Sequence, residues 1–275
     1  MQPFVFILRV DSIDGCSISC HVGRGREENL LRYGCTDGAV TFAHDNALAR
    51  GILHNRHQLK KILSSAIDGK LHVGQTINCV FLENFPFLTN DHFNLYIRQD
   101  RRKGRVNITT SETGLPEVQK IYADGSCNHA TWQSGYGGFI ETIDGKCEPF
   151  FAPFSGGSSN LMELLAVVEG LRRSGNRETV QIHTDSRFVI RGLVQWVHFW
   201  RENAWRTAYG REVRYVAQWQ EADSLCQRKH LEFKWIKGHS GNIAQEFCHL
   251  LAKAAAAKAP QRSLSLPKRI GHSGD

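Results

Sequence analysis

Between Gln119 and Lys258, short apolar runs alternate with longer runs whose apolar residues recur at helical spacing, and this alternation leaves few folds open. Gln119–Ala123 and Tyr136–Thr142 read as strands, with Asp144-Gly145 as a hairpin signal. Leu161–Arg173 reads as a helix, Val180–His183 as a strand and Ser186–Trp200 as a helix. Val216–Gln227 reads as another helix, Leu231–Ile236 as a strand, and Ala244–Lys258 as a closing Ala-rich helix. Such an order implies a mixed sheet with helices packed on it.

The chain has 275 residues, enough for two domains. Phe4–Val10, Thr76–Leu82 and Phe93–Arg98 read as strands. Leu48, Ile52, Leu59, Ile62 and Leu63 recur near helical spacing, so Asp45–Ala66 reads as one helix, with Asp45 as its cap and Gly69 after its end. Residues 1–100 are therefore expected to form a small α+β domain. The polar, Gly- and Pro-containing stretch 101–117 reads as a linker, and the Pro/Ser/basic stretch 260–275 as a disordered tail.

No apolar run reaches the length of a membrane span, and no basic region precedes the short apolar start. A cytoplasmic protein without a membrane partner is expected. The eight cysteines contain no C-x-x-C pair. Cys16, Cys20 and His21, like His54 and His57, read as ordinary thiols and surface histidines of a reducing compartment. The net charge of +7 is consistent with a polyanionic partner.

Three acids sit where acids are costly. Asp124 ends the apolar run IYA, Glu163 lies inside the helix LMELLAVV, and Asp185 ends the strand VQIHT. A partly desolvated carboxylate needs compensation, and a divalent cation provides it. Mg²⁺ prefers hard oxygen ligands, and converging carboxylates can hold two such ions. Taken singly, Asp185 reads as an N-cap, Asp124 as a turn residue and Glu163 as emerging at the helix surface. The three together point to a metal site.

The segments IYADGSC, NLMELLAV, HTDSRFV, QWVHFWRENAWRTA, KWIKGHSG and FCHLLAKAAA, in this order, resemble type 1 ribonucleases H over residues 118–259. The resemblance implies an α/β fold: a ribonuclease H-like five-stranded mixed sheet with flanking helices, preceded here by the small α+β domain. It implies an endoribonuclease that cuts the RNA strand of RNA–DNA hybrids with two Mg²⁺ or Mn²⁺ ions, leaving 3′-hydroxyl and 5′-phosphate ends. Asp124, Glu163 and Asp185 match the family's metal-binding carboxylates. His239, in the loop KGHSGN, matches a mobile histidine that assists proton transfer or product release.

The fourth position departs. His249 stands in the final helix where the family usually has Asp. An imidazole suits Mn²⁺ better than Mg²⁺ and brings no negative charge. His249 is expected to act as a fourth, weaker metal ligand that tolerates Mn²⁺, with activity that falls when it is protonated; the alternative is a histidine that simply faces solvent.

The resemblance also implies a nucleic-acid surface. Trp196, Arg201 and Arg206 lie in a stretch where aromatic and basic residues interleave. Trp196, Trp219 and Trp235 match a channel for the DNA strand. Cys127 and Asn128 lie in the loop that reaches the minor groove in the family, though the usual Asn-Pro-Gly element is missing. On the same resemblance Asn160 is expected to contact a 2′-hydroxyl, and Ser158 to supply a hydroxyl to a phosphate. Phe199 replaces an Asn that commonly helps hold that phosphate, which weakens the pocket.

Residues 1–110 resemble nothing recognised, and read either as an extra nucleic-acid grip or as a docking module for another protein. Two other functions compete with hybrid cleavage. One is a hybrid or duplex binder with weakened catalysis; the other is a related nuclease acting on a different duplex.

Overall fold

The computed structural model describes residues 4–64, 71–81, 88–102, 107–207 and 211–260. The expected tail beyond Pro260 and the expected helix end at Ala66–Gly69 lie outside these residues.

The N-terminal unit is an antiparallel sheet. Its strands are β1 (Phe4–Ile13), β2 (Ser17–Arg24), β3 (Glu27–Gly34), β4 (Val40–Phe42) and β5 (Thr76–Phe81), in the order β4-β3-β2-β1-β5. Alternate residues of β1 point inward: Phe4, Phe6, Leu8 and Val10 are buried. Leu48 and Ile52 of α1 (Ala47–His54), with Leu59 and Leu63 of α2 (Arg56–Leu63), complete this core.

One helix was expected here, and two are found, with the break at Asn55. Asn46, not Asp45, caps the first: its side chain accepts from Ala49 N at 2.9 Å. Asp45 instead pairs with Arg50. Strands β2 and β3 escape a sequence reading because Ser, Cys, His and Gly interrupt their apolar alternation.

The larger sheet has seven strands. They are β6 (Tyr96–Asp100), β7 (Asn107–Ser111), β8 (Gln119–Cys127), β9 (Gln133–Glu141), β10 (Cys147–Ser155), β11 (Thr179–Thr184) and β12 (His230–Trp235). Their order is β10-β9-β8-β11-β12-β6-β7. β8, β11 and β12 run parallel, and the other pairings are antiparallel. The expected five-stranded mixed sheet is thus present, and the hairpin β6–β7 extends its β12 edge.

That hairpin falls in the stretches read as N-terminal domain and linker. Its placement depends on long-range pairing, for example Ile97 opposite Phe233, which local composition does not encode.

Around the sheet lie α3 (Ser159–Arg173), α4 (Arg187–Arg191), a π-helical turn (Gly192–Trp196), α5 (Val197–Glu202), α6 (Val216–Cys226) and α7 (Ile243–Ala257). The expected helix Ser186–Trp200 is therefore interrupted by a π turn. Ile121, Leu164, Val168, Ile182, Val189, Leu193, Trp219 and Phe233 share one core. Among the described residues, no helix is long and apolar enough to cross a membrane.

A polar network ties β6 to the helices. Buried Arg101 pairs with buried Asp223 at 2.7 Å and donates to Gln99 Oε1 at 2.8 Å. Gln99 in turn meets His198 at 2.9 Å, and Arg201 pairs with Asp223 at 3.0 Å. A second tie joins the two sheets' units. Asn203 Oδ1 accepts from Asn78 N at 2.9 Å, while Asn203 Nδ2 donates to Asn78 O, so one side chain satisfies both backbone groups on the edge of β5. Beside this clamp, Phe199 packs against the N-terminal core.

Candidate active site

Asp124, in β8, is 5% exposed. The N–H of Gly125 donates to its Oδ1 at 2.8 Å. A Cβ on Gly125 would come within 2.4 Å of Glu163 N, so only glycine lets α3 press this closely and bring Glu163 towards Asp124. On the other face, a Cβ on Gly137 would lie 2.6 Å from Ala252 N. That close approach seats α7 and aims His249 at Asp124: Nδ1 lies 3.0 Å from Asp124 Oδ2.

Asp185 follows β11. The N-cap of the next helix is Ser186, whose hydroxyl accepts from Val189 N at 3.2 Å. Asp185 is therefore released from capping. Its Oδ1 is buried without a hydrogen-bond partner, and Trp235 Nε1 donates to its backbone oxygen at 2.8 Å. The Ser186 hydroxyl also donates to Glu163 Oε2. Sequence reasoning missed Ser186, although Asp-Ser before a helix is a cap signal.

His239 is exposed, has left-handed backbone at φ 52°, and meets His249 edge-to-face at 5.1 Å between ring centroids.

The electrostatics are those of an acid cluster short of positive charge. Burial pushes Glu163 up to about 7; Asp185 and Asp124 add to the rise, and the Ser186 hydroxyl opposes it. Burial, followed by the charge of Asp124, lifts Asp185 to about 6. Burial also raises Asp124, against the Gly125 N–H, His249 and His239. Among the described residues, no three Asp, Glu, His or Cys side chains converge as a ready-made metal cage. The donor set still fits a hard divalent cation: three carboxylates raised by burial, of which Asp124 acts on the other two and Asp185 has an orphaned buried oxygen. His249 reaches the site, but its Nδ1 is turned to Asp124, leaving Nε2 as its free nitrogen.

The expected nucleic-acid residues are dispersed. Trp219 is 0% exposed, packed between Phe188 and Trp200, so it belongs to the core and does not line a channel. It was misplaced because a tryptophan in an amphipathic helix reads alike for either face. Trp196 is half-buried against Phe188 and Trp200, and Trp235 lies beside Asp185. Arg201 is held by Asp223, and Arg206 is exposed.

Asn128 shapes its loop by accepting from Ala130 N and Thr131 N, and half-buried Cys127 accepts from Ser134 Oγ. Ser158 caps α3 and shares a 2.6 Å hydrogen bond with the hydroxyl of Tyr215. Asn160 is exposed in the first turn of α3. Phe199 faces the N-terminal core, which accounts for an apolar residue at that position.

The family model for RNase H matches residues 116–257. Ribonuclease H of Idiomarina loihiensis is 38% identical over 141 residues, covering 51% of this chain and 88% of that protein. Ribonuclease H of Nitrosospira multiformis is 36% identical over 138 residues, covering 50% and 88%. Among solved structures, LC9-RNase H1, described as a type 1 RNase H with the type 2 active-site motif, is 29% identical with a TM-score of 0.46, covering 55% of this chain and 77% of that one. With the acid cluster in place on the mixed sheet and the match running across it, the chain belongs to the ribonuclease H family and is a ribonuclease.

Proposed function

We propose that this enzyme hydrolyses the RNA strand of RNA–DNA hybrids, using Mg²⁺ or Mn²⁺ and leaving 3′-hydroxyl and 5′-phosphate ends. The observation that carries the reading is the trio Asp124, Glu163 and Asp185. They come from β8, α3 and the end of β11; burial raises the proton affinity of each, and the charge of Asp124 adds to the rise at both Glu163 and Asp185. These three carboxylates would hold the divalent ions. When bound, such ions activate the attacking water and stabilise the leaving oxygen.

The chain's own groups do the positioning. Ser186 fixes Glu163, and Gly125 fixes Asp124. His249 offsets the charge of Asp124 and leaves Nε2 as a fourth, weaker donor. His239, on its exposed loop, delivers a proton to the leaving 3′ oxygen or helps release product. Asn160 at the start of α3 contacts a 2′-hydroxyl, and the loop of Cys127 and Asn128 faces the minor groove. Ser158, Trp196, Arg201, Arg206 and Trp235 support the backbones of the two strands.

Labelled RNA–DNA hybrid, duplex RNA and duplex DNA, each with Mg²⁺ or Mn²⁺, test the proposal. Cleavage of hybrid alone, abolished by Asp124→Asn, is the expected result. Binding without cleavage in either metal would replace the reading with a nucleic-acid binder. Cleavage of duplex RNA would replace it with a different nuclease.

A further inference from the structure

Helix α7 is apolar on two opposite faces. Cys248, Ala252, Ala255 and Ala256 are buried beneath it. On the outer side stand Ile243, Phe247 and Leu250, which are 87%, 44% and 62% exposed, and exposed Ala254 follows them. At 3.6 residues per turn these four fall in one stripe, turned away from the buried face.

A surface helix ordinarily turns polar residues outward, and a helix that is apolar all round is covered all round. Apolar side chains exposed singly need no cover, but a continuous row of them marks a contact surface. Among the described residues, the one ring packed on this row is Phe139, which meets Phe247 edge-on at 5.8 Å. Ile243 and Leu250, the two most exposed members, project to solvent.

Charges of opposite sign border the stripe. Glu246 and Lys253 lie two turns apart along the same edge of it. Among the described residues, neither has an ionic partner within the chain.

These features are complementary to themselves when a second α7 runs antiparallel. In a crossing centred between Phe247 and Leu250, Phe247 of each copy meets Leu250 of the other. Ile243, which is bulky, then meets Ala254, which is small, so the two surfaces interlock. Glu246 of each copy comes beside Lys253 of the other, and two-fold symmetry makes this pair twice. A parallel crossing would instead bring Lys253 towards Lys258 of the second copy, a like-charge pair.

We propose that two copies of this chain associate through the outer face of α7, as an antiparallel, two-fold symmetric pair built on Ile243, Phe247, Leu250 and Ala254. His249 leaves the same helix in another direction to reach Asp124, so the contact does not draw on the acid cluster. The inference is independent of the substrate proposed above.

Sedimentation velocity of the full chain over a concentration series tests it. The proteins are the parent, Leu250→Glu, Glu246→Lys, Lys253→Glu and the double variant Glu246→Lys/Lys253→Glu. The parent is expected to dimerise at micromolar concentration, and Leu250→Glu to stay monomeric. Each single charge reversal is expected to weaken association several-fold, less so at high salt, and the double reversal to restore it.

A parent that stays monomeric up to about 100 µM overturns the proposal, as does a dimer whose affinity Leu250→Glu leaves unchanged. A double reversal that associates no better than the single ones overturns the antiparallel arrangement. Each variant is checked against the parent by circular dichroism. Should Glu246→Lys lose helix, the exposed positions Leu250→Glu and Lys253→Glu decide, and parental affinity in both refutes the contact.

Discussion

His249 Nδ1 sits 3.0 Å from Asp124 Oδ2, so an imidazole from α7 occupies the acid cluster where the family usually adds another carboxylate. Its hydrogen bond lowers the proton affinity of Asp124, against the burial that raises it. On the metal reading proposed above, the site carries one negative charge fewer than one with four carboxylates and is expected to hold a hard cation more weakly.

His249→Asp restores that charge. It is expected to lower the Mg²⁺ concentration giving half-maximal hybrid cleavage several-fold, and to narrow the difference between Mn²⁺ and Mg²⁺. Metal titrations of initial rate check this; an unchanged Mg²⁺ requirement would show that His249 does not limit metal binding.

Glu163 links the site to stability. Its folded value of about 7 lies above the ordinary 4.5, so the folded state binds the proton more tightly than the unfolded chain does. The stability from this group is complete below about pH 4.5 and is lost as pH rises through about 7. Glu163→Gln removes the titration. In EDTA at pH 8 it is expected to stabilise the protein by about 2 kcal/mol, with the gain gone at pH 4.5. The same substitution is expected to abolish cleavage. Urea unfolding at the two pH values checks the sign, and a loss of stability at pH 8 would contradict it.

Asp223 holds two guanidinium groups, one on each carboxylate oxygen: Arg101 at 2.7 Å and Arg201 at 3.0 Å. Asp223→Ala leaves Arg101 buried without its counter-charge, at a cost of about 3–5 kcal/mol. Arg101 precedes the family match, so the stability of the catalytic sheet depends on residues outside it. Chemical denaturation measures the loss; a change under 1 kcal/mol would mean that water replaces the pair.

Much of the catalytic sheet and its acids is legible in the sequence, because the signals are local. Strand and helix periodicity is carried within a few residues. An acid inside LMELLAVV or after VQIHT is conspicuous through the cost of desolvating it. That Ser186 takes the cap and frees Asp185 is a matter of one residue and lay within reach.

What the sequence alone determined was the order of elements, the three carboxylates and the presence of a histidine in the final helix. Tertiary structure decided the rest. It placed β6–β7 on the edge of β12, buried Trp219, turned Phe199 into a contact with the N-terminal core, and stacked Arg187 and Arg191 on Phe93. Each of these depends on partners far away along the chain, joined by pairing or packing. Periodicity says which face of an element is apolar, but not which apolar surface will cover it.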